Sequence, residues 1–310
     1  MTSPIERRYF RRTTALAYRI LLPSLAFVIV FIGYPLLYSI SIAFKDYKYG
    51  VPTGNVIWFK NFLDILTNPT VAPHFYNSLV VTLKFTVVSV TAVVVISLGI
   101  AILLNERFRG NDFLKIALLL PYAIPGPVNA VIWNWIYDPN FGVLNGLLYR
   151  LGLIKEYFTI TGNPNLALWG IVFAYVWKFV PYSAFLFLAG LSTIPRSVYE
   201  AAQMDRAGTL RSFFKITLPL LMPVFQMVLV IQTIFALLMH FGLVFVLTRG
   251  GPGNATTTLA WLIYNESFTF TRFGRGAAMA IFLSLIMIVF IYIYLVVLNP
   301  ERRPMRQRGT

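Results

Sequence analysis

The chain has no cysteine, only two histidines and only 11 acidic residues among its 310 residues. Without cysteine there is no disulfide, no thiolate metal site and no cysteine nucleophile. Charged residues make up 12% of the sequence, which is about half of the share found in water-soluble domains. The composition therefore excludes a soluble globular protein.

Apolar residues make up 58% of the chain, and the mean hydropathy is +0.72. Six apolar runs are each long enough to cross a hydrocarbon core of about 30 Å as a helix. Pro121, Pro125 and Pro127 fall in the third run, so we expect that helix to be broken or kinked. The sequence predicts an all-α integral membrane protein with six transmembrane helices, at 20–44, 78–104, 114–136, 166–190, 220–247 and 277–298.

All acidic residues lie outside these six runs. Many proton- or sodium-driven carriers have a carboxylate inside the membrane, because a proton relay needs a titratable group there. No intramembrane carboxylate pair or histidine cluster offers a catalytic or metal site. The nucleotide-binding pattern G-x-x-x-x-G-K-[ST] is absent from the sequence. We expect a transporter that is not an enzyme and holds no metal or cofactor, so that any ATP and Mg²⁺ are bound by partner subunits.

The Lys and Arg residues are distributed unequally between alternate loops. The set containing both termini and the loop 191–219 carries 15 of them, and the opposite set carries 8. By the positive-inside rule, both termini and the loop 191–219 are cytoplasmic. The formal net charge of +15 is then explained by membrane topology and lipid headgroups, not by nucleic acid. We divide the chain into a basic cytoplasmic N-terminus at 1–19, a transmembrane domain at 20–298 and a basic cytoplasmic tail at 299–310.

The cytoplasmic loop 191–219 has the pattern of two short helices. Pro195 suits a first helical turn, and Ser197 with Glu200 has capping-box spacing. Gly208 can end the first helix in a left-handed conformation, and Thr209 can cap the second. We therefore expect a helix-turn-helix whose exposed surface suits docking of another protein.

This loop resembles that of the permease subunits of ABC importers. Their pattern is E-A-A-x-x-x-G, then nine residues, then I-x-L-P, and here Glu200 and Ile216 begin the two halves at the same spacing. Arg206 stands at the position where the family usually has glycine. The resemblance implies an ATPase-docking segment formed by Glu200, Ala201, Ala202, Asp205, Arg206, Ala207 and Gly208.

Two further segments are similar to carbohydrate importers of the maltose and glycerol-phosphate type. One is Thr248-Arg249-Gly250-Gly251-Pro252, which follows the fifth predicted helix. The other is Trp133-Asn134-Trp135-Ile136-Tyr137-Asp138-Pro139, at the end of the third. With the docking loop, the resemblance covers nearly the whole chain.

The resemblance implies a non-catalytic permease subunit that is a multi-pass protein of the cell membrane. A second, homologous permease would complete the path for a sugar or polyol. Two ATP-binding cassette ATPase subunits would bind at the cytoplasmic face, and a substrate-binding protein would deliver the carbohydrate on the other. ATP-driven closure of the ATPases would be transmitted through the docking loop to the membrane helices.

Sugars are bound by aromatic faces together with amide and hydroxyl groups. Polar side chains in mid-membrane must face protein or a wet cavity, because an unsatisfied amide in hydrocarbon costs several kcal/mol. The same aromatics also serve as interfacial anchors, and the amides also bond neighbouring helices, so both alternatives remain open. Gln232 is the strongest of the candidates for the substrate path, which are Asn129, Trp133, Tyr175, Lys178, Tyr182, Gln226, Gln232 and His240.

Two other functions remain to be compared with an ABC permease. A stand-alone secondary carrier or channel for a small polar solute would move its substrate without ATPase subunits. A membrane enzyme acting on a lipid-linked substrate would need a chemical centre among the intramembrane polar residues, and the sequence offers none.

Overall fold

The computed structural model describes residues 18–48, 50–106, 108–238 and 240–298. Five long apolar helices and one bent pair of helices are able to cross a membrane within these ranges. The predicted all-α membrane fold with six spans is confirmed. Most helix ends lie within a few residues of the hydropathy limits, but the second span begins at Ala72 instead of residue 78, and the helix of the fifth begins at Thr209 instead of residue 220. Residues 1–17 and 299–310 lie outside the described residues, so the predicted limits of the N-terminal and C-terminal segments stay predictions.

Four of the six spans each consist of one long apolar helix. The first is α1 (Tyr18–Ile42), which includes a π-helical turn at Ile29–Gly33. The second is α3 (Ala72–Asn105), the fourth is α7 (Ala167–Ser192), and the sixth is α13 (Phe273–Val297). None of the residues of α1 is buried within the chain, so lipid or another subunit must cover this helix.

The third span is broken, as the prolines predict. Its halves are α4 (Asn111–Ala123) and α5 (Gly126–Ile136), and their axes differ by 96°. Pro125 precedes α5 in an extended conformation and has no N–H to continue a helical ladder. The break therefore leaves the last carbonyls of α4 without intrahelical partners.

The fifth span continues directly from the loop that precedes it. The loop contains α8 (Arg196–Met204) and α9 (Thr209–Ser212), and a π-helical turn at Phe213–Thr217 connects α9 to α10 (Leu218–Leu238). The span ends with α11 (Phe241–Leu247). A helix running from the loop into the bundle is a stiff connection, because its backbone is hydrogen-bonded along its length.

The opposite end of the bundle carries shorter elements, and we call it the hairpin end. Strands β1 (Lys45–Lys48) and β2 (Val51–Val56) form an antiparallel hairpin, with Lys45 opposite Val56. This small sheet was not predicted from the sequence. It is joined there by the short helices α2 (Lys60–Thr67), α6 (Val143–Arg150) and α12 (Leu259–Tyr264).

The centre of the bundle is the packing of α3 along α7, with α10 against both. Phe85 of α3 meets Tyr175 of α7 edge-on, with ring centroids 5.4 Å apart. Both side chains are fully buried. Helix α13 packs on the other side of α10 and connects the bundle to α1. Five of the eight candidate residues for the substrate path lie on α7 and α10.

Candidate functional site

Helix α8 ends in a left-handed turn formed by Arg206. The Ala207 N–H donates to the carbonyl of Ala202 at 2.9 Å, and the Arg206 N–H donates to that of Gln203 at 2.9 Å. These two bonds define a Schellman motif, whose C′ residue adopts positive φ. Arg206 has φ +54, whereas Gly208 has φ −65. The expectation that Gly208 supplies the left-handed residue is wrong, because the helix ends two residues earlier.

The start of α8 also differs from the sequence expectation. Pro195 is the N-cap residue, and no side chain caps the helix. Gly208, not Thr209, occupies the N-cap position of α9, again without a side-chain cap. The predicted capping box of Ser197 and Glu200 is therefore wrong, and the helix starts one residue after Pro195, whose fixed φ suits this boundary.

One face of α8 is open and the other is packed on the bundle. Glu200 and Ala201 are exposed, whereas Ala202 is buried. On the packed side, the hydroxyls of Tyr199 and Thr217 lie 3.0 Å apart, and this hydrogen bond joins α8 to the turn before α10. Helix α8 is therefore fixed to the start of the fifth span, while its other face stays exposed.

Large apolar side chains next to α8 are also uncovered. Met204 is 85% exposed, Leu210 is 75% exposed and Phe214 is 61% exposed. Met204 is the last residue of α8, Leu210 belongs to α9, and Phe214 belongs to the π-helical turn before α10. Exposed apolar groups beside charged ones are typical of a protein interface.

Lys178 closes the break in the third span. Its Nζ donates to the carbonyl of Tyr122 at 3.4 Å and to that of Ile124. These are carbonyls at the C-terminal end of α4, where a cation is favoured by the helix dipole. Lys178 thus connects α7 to the bend between α4 and α5.

Two tyrosines stack beside this lysine. The rings of Tyr122 and Tyr182 are 5.0 Å apart and nearly parallel, and Lys178 Nζ lies 5.8 Å from the centroid of Tyr122. Tyr122 is 37% exposed, and Lys178 and Tyr182 are partly exposed. Together Tyr122, Lys178 and Tyr182 form an accessible aromatic and cationic surface, which we call the tyrosine–lysine surface.

Gln232 and Tyr175 lie inside the protein and bond to each other. The Tyr175 hydroxyl donates to Gln232 Oε1 at 3.2 Å, and Gln232 Nε2 donates to Ser183 Oγ at 2.7 Å. All three side chains are fully buried. In this conformation Gln232 therefore bonds a neighbouring helix, connecting α10 to α7. This is the role that the sequence left open beside substrate contact.

Gln226 makes a similar connection on the other side of α10. Its Nε2 donates to the carbonyl of Tyr294 in α13 at 3.1 Å. Thr233, two turns further along α10, donates to the Tyr294 hydroxyl at 3.2 Å. The amide of Gln226 is thus used between helices in this conformation.

Asn129, Trp133 and His240 are buried with polar atoms that have no partner. These atoms are Asn129 Oδ1, Trp133 Nε1 and both ring nitrogens of His240. The His240 ring packs at 4.8 Å from the ring of Phe85, and the Trp133 ring meets Trp177 edge-on at 5.6 Å. Among the described residues, no hydrogen bond connects Asn129, Trp133 or His240 to the tyrosine–lysine surface.

The glycine-rich segment after the fifth span forms a compact turn. Gly250 has φ +84, and a Cβ atom there would meet Thr257 Oγ1 at 2.8 Å and collide with the Trp261 ring. Thr257 donates to the Gly250 carbonyl at 2.8 Å, and Thr256 donates to the Gly251 carbonyl at 2.7 Å. The position therefore requires glycine for both its backbone conformation and its space.

This turn is fixed to the second span. The Leu259 N–H donates to Thr82 Oγ1 at 2.7 Å, and Asn77 Nδ2 donates to the Asn254 carbonyl at 3.0 Å. Thr82 in turn donates to the Ser78 carbonyl within α3. The glycine-rich segment is therefore part of the rigid hairpin end.

The segment after α5 is equally well fixed. Asp138 Oδ1 accepts the N–H groups of Asn140 and Phe141 at 2.8 and 3.1 Å. The Tyr137 hydroxyl donates to the Gly170 carbonyl at 3.0 Å, and burial raises the pKa of Tyr137. The hydroxyl is thus neutral and connects the end of α5 to the start of α7.

A buried ion cluster that the sequence did not indicate lies near the start of α13. Glu266 is 6% exposed, and its two oxygens lie 3.7 Å from Arg272 Nη1 and 3.3 Å from Arg275 Nη1. The spacings of six and nine residues cross a π-helical turn at Asn265–Thr269, so no helical periodicity predicts the pairing. Over the described ranges, no three His, Asp or Glu residues are grouped to hold a metal ion.

Most of the chain matches one known protein family. Residues 93–303 match the family described as "Binding-protein-dependent transport system inner membrane component". The matched region includes the broken third span, α8 and the glycine-rich turn.

Curated relatives align over most of the chain. The trehalose/maltose transport system permease protein MalF of Thermococcus litoralis is 37% identical over 270 residues, covering 87% of this chain and 89% of that protein. The sulfoquinovosyl glycerol transport system permease protein SmoG of Agrobacterium fabrum is 35% identical over 268 residues, covering 86% of this chain and 84% of that protein.

A solved structure has the same fold. A chain of a bacterial ABC transporter involved in the import of the acidic polysaccharide alginate superposes with a TM-score of 0.81 at 21% identity. The match covers 96% of this chain and 99% of that chain, so the six-span architecture is shared along its length.

Proposed function

Because the chain belongs to the family of binding-protein-dependent transport system inner membrane components, we propose that it is the permease of a carbohydrate or polyol importer that works with separate ATPases. It pairs with a second, homologous permease, and a substrate-binding protein delivers the solute. Two ATP-binding cassette subunits bind and hydrolyse ATP with Mg²⁺. The chain itself performs no chemical step.

The single observation that carries the coupling role is the two-sided arrangement of α8. Its exposed face presents Glu200 and Ala201, while Tyr199 on the other face is hydrogen-bonded to Thr217 before the fifth span. We assign ATPase docking to this face, with the Arg206 turn and the residues up to Gly208 at its end. Ala202 contributes by packing inward, which keeps the helix on the bundle.

The orientation follows from the docking role and from the charge distribution. We place α8 and both termini in the cytoplasm, as the excess of Lys and Arg on that side predicts. The hairpin end then faces outward, where the binding protein delivers its solute. The basic segments at 1–19 and 299–310 flank the transmembrane domain at 20–298.

Support for a carbohydrate comes from the relatives and from the tyrosine–lysine surface. The curated relatives transport trehalose or maltose and sulfoquinovosyl glycerol, according to their names. Aromatic faces bind the C–H patches of sugars, and an ammonium group donates hydrogen bonds to hydroxyls. We assign substrate contact in this conformation to Lys178 and Tyr182, with Tyr122 as an additional contact.

The other candidates serve the path indirectly in this conformation. Tyr175, Gln226 and Gln232 hold the spans together through the hydrogen bonds described above. Asn129, Trp133 and His240 are buried, and their unpartnered atoms become available to substrate only when the helices move apart.

The proposal is tested with the permease purified together with its partner permease and ATPases in proteoliposomes. A panel of sugars and polyols, each loaded on the binding protein, is screened for stimulated ATP hydrolysis and for uptake. We expect Tyr182→Ala to lower uptake of the stimulating sugar roughly five- to tenfold, since an aromatic contact contributes about 1 kcal/mol. The complex should assemble normally.

Tyr292→Ala is the matched control, because Tyr292 is an exposed tyrosine on α13, away from the tyrosine–lysine surface. Its uptake should equal that of the wild type. Equal losses in both variants would argue against substrate contact at Tyr182. Solute uptake by the permease alone, driven by an ion gradient, would favour a secondary carrier instead.

A further inference from the structure

A cavity of about 510 Å³ opens at the hairpin end between α5, α6, α7 and the segment 158–166. This volume lies within the range of sites that bind small molecules. Twelve residues line the cavity, and none of them is charged. Its walls are mainly aromatic and branched aliphatic side chains, among them Trp133, Leu144, Leu147, Phe158, Trp169 and Phe173.

The chemistry of the lining excludes a sugar as the occupant. The polar side-chain groups among the lining residues are the indole N–H groups of Trp133 and Trp169 and the Tyr137 hydroxyl. The hydroxyl is already bonded to the Gly170 carbonyl. Sugar hydroxyls placed here would lose their hydrogen bonds to water without replacement. The cavity therefore suits a hydrocarbon group.

A cation follows the cavity-lining residues on the same helix, α6. Val143 and Leu147 line the cavity, and Arg150 follows Leu147 by three residues, so all three lie on one stripe of the helix. Arg150 is exposed, and no described carboxylate lies within ion-pair distance of it. An apolar cavity followed by an unpaired cation on the same helix matches an acyl chain joined to a phosphate group.

The depth of the cavity also matches a lipid. Trp169 is 56% exposed and Phe173 is 59% exposed at the start of the fourth span. Tryptophan at a span end lies at the boundary between hydrocarbon and headgroups. A cavity beside exposed aromatic side chains at a span end is within reach of the acyl chain of a neighbouring lipid.

We propose that this cavity binds one acyl chain of an anionic phospholipid, with its phosphate bound to Arg150. The lipid fills the space between α6 and the start of α7 and fixes the segment that carries Trp133. This site is separate from the tyrosine–lysine surface and goes beyond the proposed transport function. In the proposed orientation this lipid belongs to the outer leaflet, and only that assignment rests on the proposed function.

The test uses the complete purified transporter in nanodiscs containing phosphatidylglycerol with a photoreactive diazirine in one acyl chain. After irradiation, labelled peptides are mapped by mass spectrometry. We expect labelling of peptides covering 143–150 and 166–173. Leu147→Trp fills the cavity and should lower this labelling at least fivefold. Arg150→Gln should remove the preference for phosphatidylglycerol over phosphatidylcholine.

Two control variants separate the site from general effects. Leu153→Trp adds the same bulk at an exposed leucine outside the cavity lining, and Arg249→Gln removes an exposed cation at the same end. Both should leave the labelling unchanged. Size-exclusion chromatography and stimulated ATP hydrolysis check assembly, so a variant that fails to fold is recognised; Arg150→Gln, a surface change, then decides the matter.

Three results would overturn the proposal. One is equal labelling in Leu147→Trp and the wild type. Another is an unchanged lipid preference in Arg150→Gln. The third is a cross-link from the cavity residues to a peptide of the partner permease, which would make the cavity a subunit interface. Each of these results leaves the sugar and ATPase assays of the transport proposal unaffected.

Discussion

Arg206 has a backbone conformation that costs an L-amino acid free energy. The left-handed region brings Cβ close to the following carbonyl oxygen, which costs about 1–2 kcal/mol in residues other than glycine. The side chain of Arg206 is exposed, so no packing within the chain compensates this cost. The importer pattern that this loop resembles has glycine at position 206, and the Schellman geometry gives the physical reason.

We predict that Arg206→Gly stabilises the protein by about 1 kcal/mol, because it removes this backbone strain. Thermal unfolding of the purified transporter should show a higher melting temperature. Arg211→Gly is the control, since Arg211 lies within α9 and glycine there costs about 1 kcal/mol of helix stability. Shifts of the same sign in both variants would contradict the prediction.

Gly250 stands at a position where no larger side chain fits. Gly250→Ala combines positive φ with a collision against Trp261. We expect it to lower the melting temperature and the yield of assembled transporter strongly. Gly253 also has a positive φ, +56, but the space around its Cβ position is open. Gly253→Ala should therefore cost only the backbone strain of about 1 kcal/mol.

The comparison between these two variants isolates the steric contribution. A loss of stability in Gly250→Ala that is no larger than in Gly253→Ala would show that the turn relaxes around the added methyl group. The glycine-rich turn would then be less rigid than its threonine hydrogen bonds indicate.

At the level of helices, hydropathy predicts the spans well because crossing a membrane requires about 20 apolar residues in sequence. The break in the third span was also predictable, because Pro121, Pro125 and Pro127 stand close together there, whereas the lone Pro181 lies within the unbroken α7. The hairpin at Lys45–Val56 was not, since its strands are short and its residues mostly polar. The π-helical turns likewise have no distinctive sequence signal.

Long-range side-chain contacts are the part of the site that one sequence cannot reveal. Tyr175 and Gln232 are 57 residues apart and belong to different spans. Their polarity indicated that they face protein or a cavity, and both outcomes satisfy a buried amide. Only the relative rotation of α7 and α10 decides between them, and that rotation depends on the whole bundle.

We predict that Gln232→Leu destabilises the transporter by about 1–2 kcal/mol, because Ser183 loses its donor inside the membrane. Gln226→Leu removes a single, partly buried bond and should cost about 0.6 kcal/mol. Melting temperature and sugar uptake are measured together. A tenfold change in uptake by Gln232→Leu without any loss of stability would identify Gln232 as a substrate contact.

At the scale of the whole molecule, the chain leaves large apolar surfaces uncovered. No residue of α1 is buried by the rest of the chain, and exposed apolar side chains surround α8. Lipid can cover an apolar helix, but its hydrocarbon cannot cover the exposed charges of Glu200 and Asp205. The proposed ATPase partner at α8 would cover the exposed Met204, Leu210 and Phe214 together with these charges.

The most direct test of this account is ATP-driven uptake in proteoliposomes by the wild type, Glu200→Arg and Glu156→Arg. Glu156 is an exposed glutamate in the loop between α6 and α7, away from α8. We predict that Glu200→Arg inserts normally but loses ATPase association and at least nine-tenths of uptake, because the reversed charge opposes docking. Glu156→Arg should behave as the wild type. Full uptake by Glu200→Arg, or uptake without ATPase subunits, would contradict the account.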